Sequence, residues 1–216
     1  MNTTTLLPPA ARFSGAYAEQ SVATVHEAAG RIGALSSAVK PIAAGMKLSG
    51  PAFPFTLKPG DNLAIHEALY EAPAGSVLVI DAYDFLEAGP FGEIIAVAAQ
   101  VRGIAGLVTS GSVRDRDAIA AIGFPVFAKG LCVKGTDKLV PARLGGAVVI
   151  DGVVVNPGDW VLGDADGVVV IPAAEAESVL NQSIEREAKE RAIIERIRQG
   201  ARTLDVYNFG GNEVAK

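Results

Sequence analysis

The chain has 216 residues, half of them apolar, with 24 Gly, 12 Pro and a formal charge of −5. That length buries one sizeable core, while the acidic balance and scattered Lys and Arg argue against a polyanion partner. The single cysteine, Cys132, excludes an intramolecular disulfide framework, and no Cys/His cluster spells a zinc site.

The opening "MNTTTLLPPAARF" lacks the basic start and apolar run of a signal peptide. No stretch approaches the roughly eighteen uninterrupted apolar residues of a membrane span. A soluble, cytoplasmic protein that binds neither nucleic acid nor membrane is expected. "SVATVHEAAGRIGAL" starts as a short helix and drifts into a Gly-rich loop. "MKLSGPAFPFTL" alternates like a strand, but its two prolines suit an edge position or a bulge. "PGDNLAIHEALYEAPAG" predicts a helix capped by Asn62 or Asp61 and stopped by Pro73 and Gly75. "SVLVIDA" is a continuous apolar strand of the kind buried on both faces.

"GPFGEIIAVAAQVRG" predicts a helix started by glycine, apolar at Ile94, Ile95, Val97, Ala98 and Val101. The next strand covers residues 105–108 and runs into a small-residue turn, 109–112. Strand, helix and strand in that order predict a parallel βαβ unit with a right-handed crossover. "RDAIAAIG" is a short helix and "FPVFAKG" a strand. From Val148 to Ile171, short apolar runs alternate with Asp-Gly, Pro-Gly-Asp and Asp-Ala-Asp-Gly turns, which read as hairpins. A charged amphipathic helix over about 173–199 and a short tail follow. With no linker and no repeat, residues 1–216 form one domain with a C-terminal helical arm.

Ligands of open α/β sheets gather beyond the carboxyl ends of the strands. Two features fall there. The loop "DAYDFLEAGPFGE" enters a helix at Gly92-Glu93-Ile94-Ile95, whose free N–H groups and helix dipole suit a carboxylate or phosphate. Gly89 and Gly92 let backbone approach such a ligand. Arg114 and Asp115 follow the neighbouring strand, the first a forked donor for a carboxylate, the second a hard oxygen for a divalent cation. The same residues also fit an ordinary helix cap beside a surface ion pair. Arg116-Asp117 reads as a solvated pair. "GDADG" lacks the spacing and terminal Glu of a calcium loop and reads as a tight hairpin. His26, His66 and Cys132 read as structural, and Lys129, Lys134 and Lys138 as surface lysines.

The blocks "GEIIAVAAQVRGIAGLVTSGSVRD", "FPVF", "GTDK", "NPGDWVLGDADGVVVIP" and "REAKE", in that order, are similar to the 4-hydroxy-4-methyl-2-oxoglutarate aldolase family. That family also includes the regulator of ribonuclease activity A, and the resemblance extends over roughly residues 20–207. It implies an α/β sandwich of the swivelling β/β/α type, arranged αββα, assembled as trimers or hexamers. It implies a class II aldolase that uses Mg²⁺ or Mn²⁺ to cleave 4-hydroxy-2-oxo acids to pyruvate and a second keto acid. Oxaloacetate decarboxylation is an implied side activity. Carried onto this chain, Gly92, Glu93, Ile94 and Ile95 would hold the pyruvate carboxylate, and Arg114 the keto-acid end. Asp115 would be the direct metal ligand. Glu93, at a position where some members carry Asp, and Glu190 from a neighbouring subunit would orient water. The family's other branch, non-catalytic regulators of an RNA-degrading enzyme, supplies the alternative.

Overall fold

The structure, a computed structural model, describes residues 9–209. The expectations for the opening residues before Pro9 and for the last residues of the tail lie outside that range. Helices α1 (Pro9–Ala18) and α2 (Val22–Ala28) open the described chain. The first has no counterpart in the sequence reading. Ser21 starts α2 by accepting a hydrogen bond from the Thr24 N–H at 3.1 Å. After the short β1 (Lys40–Pro41) come β2 (Leu48–Thr56), α3 (Leu63–Glu71), β3 (Val77–Asp81), α4 (Glu93–Val101) and β4 (Gly106–Val113). Then follow α5 (Arg116–Ile122), β5 (Val126–Leu131), hairpins β6 (Val148–Ile150) with β7 (Val153–Val155) and β8 (Trp160–Asp164) with β9 (Gly167–Ile171), and helices α6 (Ala176–Arg198) and α7 (Thr203–Val206).

One seven-stranded sheet runs in the order β1-β5-β4-β3-β2-β8-β9, with β2, β3, β4 and β5 parallel. The residues ahead of β1 pair with the far edge: Leu35 N–H donates to Val168 O at 3.0 Å, and Val170 N–H to Gly33 O at 2.8 Å. The Lys40 ammonium reaches Asp166 O. The sheet therefore nearly closes on itself. Helices α3, α4 and α5 cover one face of the parallel strands around Phe55, Ile65, Ile80 and Leu107. The β6–β7 hairpin packs on the opposite face through Val148, Ile150 and Val155. Helices α1, α2 and α6 cover β8 and β9 around Trp160. The αββα layering expected from the resemblance is thus present. Phe127 fills the ring's interior so tightly that a Cβ on Gly163 would lie 2.8 Å from its ring.

Two strand expectations are corrected. The proline-bearing strand, β2, is no edge: it lies between β3 and β8. It tolerates proline because it changes partners halfway. Its ladder to β8 covers Leu48–Pro51, and its ladder to β3 starts at Ala52. Ala52 N–H points to the β8 side, donating to Asp159 O at 2.7 Å. Alternation then turns the Pro51 nitrogen toward β3, before that ladder begins, and Pro54 toward β8, after that ladder ends. The small-residue turn expected at 109–112 is strand as well, because β4 runs through to Val113 and is buried throughout. Its residues are small because the loop after β3 crosses over them: a Cβ on Gly111 would meet Ala82 Cβ at 2.8 Å. Ser110 Oγ ties that loop down, accepting from Ala82 N–H and donating to Asp81.

Candidate active site

β3 and β4 lie side by side and parallel, so the loops leaving their carboxyl ends meet. The β3 loop, residues 82–92, enters α4; the β4 loop is little more than Arg114 and Asp115. Phe91 O accepts the Arg114 N–H at 2.9 Å, and Asp115 Oδ2 accepts the Glu93 N–H at 3.1 Å. The α4 ladder starts with Ala96 N–H donating to Gly92 O at 3.0 Å. The N–H groups of Ile94 and Ile95 precede it and are offered, with the positive helix end, to an anion.

Gly89 and Gly92 matter for a reason the sequence did not give. A Cβ on Gly92 would sit 2.4 Å from Asp115 Oδ2, and one on Gly89 2.3 Å from Cys132 O. The glycines let two loops of the protein touch, rather than only admitting a ligand. Asp115 is itself unusual. It occupies the N-cap position of α5 in the left-handed region, at φ 58°, yet makes no capping bond to α5. An Asp at an N-cap normally satisfies its own helix. Here a strained backbone aims the carboxylate at the start of α4 instead, the kind of local cost that clusters at functional positions. Arg114 Nε lies 3.7 Å from Asp115 Oδ2, and both side chains are half-exposed. A cleft of about 230 Å³ opens beside them, lined by Arg114, Asp115, Arg116, Leu131, Cys132 and Val133.

Gly92, Glu93, Ile94, Ile95, Arg114 and Asp115 are thus brought together. Glu190 is not: it stands on α6, paired with Arg186 at 2.9 Å, and α6 packs on α1 and α2. Arg116 and Asp117 form the surface pair expected of them, and "GDADG" is the expected β8–β9 turn. Cys132 is partly exposed in the cleft rather than buried. Lys129 is no surface lysine. Its side chain is only 10% exposed and its ammonium bonds Asp84 at 2.6 Å and Asp151 at 2.5 Å. Burial works to lower its pKa, but these two carboxylates outweigh it and the net shift is upward, the wrong direction for a Schiff-base amine.

Two residues support the site from the start of α3, where the sequence expected a cap at Asn62 or Asp61. Asp61, 2% exposed, caps α3 by accepting the Leu63 N–H at 2.9 Å, and its second oxygen accepts those of Leu139 and Val140. Burial pushes its pKa up, but the three N–H groups and Lys58 overcome that and hold it below 3.8. Asn62 leaves the capping to Asp61 and bonds Pro90 O at 2.9 Å. "PGDN" announces a cap; nothing in it announces a reach to the next loop but one.

The donor set narrows which metal would fit. Among the described residues no group of three or more His, Cys, Asp or Glu side chains could hold an ion, so these side chains build no closed cage of the structural zinc kind. A single half-exposed carboxylate beside a helix N-terminus fits an ion of the Mg²⁺ kind, which keeps most of its waters. No helix among the described residues is long and apolar enough to cross a membrane.

Known proteins share this arrangement of chain. The RraA-like family model, described as Aldolase/RraA, matches residues 22–170. A Halalkalibacterium halodurans protein named provisionally as a 4-hydroxy-4-methyl-2-oxoglutarate aldolase is 37% identical over 167 residues, 76% of this chain and 80% of its own. Among solved structures, an uncharacterized Pseudomonas syringae protein superposes with a TM-score of 0.85 at 24% identity, covering 97% of both chains, which speaks for the fold. Streptomyces coelicolor RraAS2, described as an unusual member of the RNase ES inhibitor RraA family, gives 0.75 at 27% identity, covering 87% of this chain and 98% of its own. The family model spans well over half of the chain, and the fold, the order of elements and the aldolase-named relative agree with it: the chain belongs to the RraA-like, Aldolase/RraA family.

Proposed function

We propose that the protein is a divalent-metal-dependent lyase that cleaves 4-hydroxy-2-oxo acids to pyruvate and a second keto acid, and that also decarboxylates oxaloacetate. The observation that carries this reading is Asp115, turned away from its own helix at φ 58° to meet the start of α4 beside Arg114. The substrate class is 4-hydroxy-4-methyl-2-oxoglutarate or 4-carboxy-4-hydroxy-2-oxoadipate.

Breaking the C3–C4 bond leaves an enolate over C2 and C3. Mg²⁺ or Mn²⁺ at Asp115 would supply Lewis-acid stabilisation of that charge. The chain's own residues bind and orient. The N–H groups of Ile94 and Ile95, at the backbone of Gly92–Ile95, take the 1-carboxylate on the positive end of α4. Arg114 presents its planar fork to the carboxylate and 2-oxo group, adding fixed positive potential where charge develops. Glu93, exposed at the first position of α4, faces water and can orient it toward the C4 hydroxyl proton. Glu190 of a second copy performs the same service from outside, so the reading includes a trimer or hexamer with sites between subunits.

The test is pyruvate release from a panel of 4-hydroxy-2-oxo acids and oxaloacetate, with Mg²⁺ or Mn²⁺ and again after chelation. Metal-stimulated release from one of them supports the reading; release indifferent to chelation, or none, refutes it. The relative described within the RNase ES inhibitor family favours a second reading, a regulator that binds an RNA-degrading enzyme. A pull-down of such an enzyme, undiminished by Asp115→Ala, would support that one.

A further inference from the structure

The turn that begins α4 is held in place by a helix outside the cleft. Asn62 precedes α3 and is more than nine-tenths buried. An Asn at an N-cap ordinarily bonds the first turn of its own helix; this one makes no such bond. Its Nδ2 donates to Pro90 O at 2.9 Å. A carbonyl can only accept, so the side chain must present its NH₂ there. Pro90 stands two residues before Gly92, and the intervening Phe91 O accepts the Arg114 N–H at 2.9 Å. One run of three residues therefore links Asn62, the start of α4 and the Arg114–Asp115 loop.

Asn62 is anchored from behind. Its own N–H donates to Asp137 O at 3.0 Å, and the Asp137 N–H returns to Gly60 O at 2.8 Å. Asp61, beside it, gathers Leu139 and Val140. What remains is Asn62 Oδ1, buried with no protein partner. A buried acceptor of this kind is normally satisfied.

We propose that Asn62 is a positioning residue for the keto-acid site: its carboxamide fixes the Pro90–Gly92 turn at the height where the α4 N–H groups and Arg114 meet one carboxylate. The proposal rests on the reading of the α4 start as a carboxylate site. It assigns Asn62 no contact with substrate. Its effect passes through backbone, so it weakens binding of the carboxylate more than any later step.

The experiment uses the full-length protein with Mg²⁺ and oxalate as the probe, titrated by calorimetry. Asn62→Asp keeps the shape and is as good a helix N-cap as asparagine, but it faces Pro90 O with an acceptor. Asn62→Ala removes the donor without adding charge. In both, oxalate affinity is expected to fall about tenfold or more, since small displacements of binding groups are costly, and KM to rise more than kcat falls. Amide exchange should accelerate at Arg114 and Ala96, whose N–H groups close the turn, and stay unchanged along α6. Oxalate affinity within about twofold of the original in both folded variants, or exchange accelerated equally everywhere, would overturn the proposal. If the unaltered protein binds no oxalate, the carboxylate-site reading fails first and this proposal with it; normal binding there with no loss in either variant removes this proposal alone.

Discussion

Residues 92 and 115 meet where no spare atom fits, and that makes them separable by mutation. In Gly92→Ala the new methyl would lie 2.4 Å from Asp115 Oδ2, so the carboxylate or the turn must move. An ångström of displacement at such a site costs about 100-fold in rate. We expect turnover to fall by that order while the melting temperature stays close to that of the unaltered protein, measured by initial rates and by calorimetry. Asp115→Asn asks a different question. It keeps the size, the acceptor for Glu93 N–H and the tolerance of left-handed backbone, and loses only the charge. Metal-stimulated turnover should drop to background with the fold intact; persistence of that turnover would remove Asp115 as a metal ligand. Arg114→Lys keeps charge without the fork and should also lose most of the activity.

The loop between β3 and α4 shows how elements depend on residues outside themselves. Lys129 on β5 ties it through Asp84 to the β6–β7 turn at Asp151, Lys134 pairs with Glu87, and Asn62 holds Pro90. Tyr83 and Asp84 both stand at positive φ, a conformation such ties must hold. Lys129→Met should lower the unfolding free energy by about 2 kcal/mol: it strands Asp151, while Asp84, two-thirds exposed, is screened. The pH dependence follows in sign. The raised pKa means that the lysine's contribution is complete below its ordinary 10.5 and fades as pH climbs through the elevated value. Denaturant melts from neutral to strongly alkaline pH should therefore show a steeper loss in the unaltered protein than in Lys129→Met. These ties explain what the sequence hid. Helices α3 to α6 and the hairpins were legible because their apolar periods and turn residues are local. The continuation of β4 through Thr109–Ser112 and the interior place of β2 were not, since both answer to chain that crosses from elsewhere. Of the site, Arg114, Asp115 and the α4 start were legible from strand ends. Asn62 and Lys129 were not, since their partners lie 28 residues away for Asn62, and 45 and 22 for Lys129.

Over the whole molecule, apolar surface is concentrated where no element among the described residues covers it. On α4 the expected apolar face divides: Ile95, Ala96 and Ala99 are buried, whereas Ile94 is 82% and Val101 81% exposed, with Val97 between them. On α6 only the first turns are buried, and Ile184, Ile194 and Ile197 face outward with Leu204, Tyr207 and Phe209 beyond. Such stripes are characteristic of subunit contacts. Under the proposed assembly, Val101→Asp should shift the sedimentation of the protein to that of smaller species. Mixing inactive Asp115→Ala with inactive Glu190→Ala subunits should restore part of the activity. A mixed oligomer shown to form, yet without recovered turnover, would mean that Glu190 serves no neighbour's site.

The near-closure of the sheet has a consequence for the order in which the protein can be born. Tyr17 gives its hydroxyl hydrogen bond to a residue 159 positions later, and Gly33 and Leu35 complete their hydrogen bonds only with β9. During synthesis the first helices therefore leave the ribosome long before β8, β9 and α6, which cover most of their apolar faces, exist to receive them. The parallel strands β2 to β5 can gather under α3, α4 and α5 meanwhile, but the seam waits for the last hairpin, β8–β9. Contacts so distant in sequence make for slow folding. Nascent chains arrested before Val148 should lose their first helices to protease within seconds, and chains released whole should acquire resistance there last.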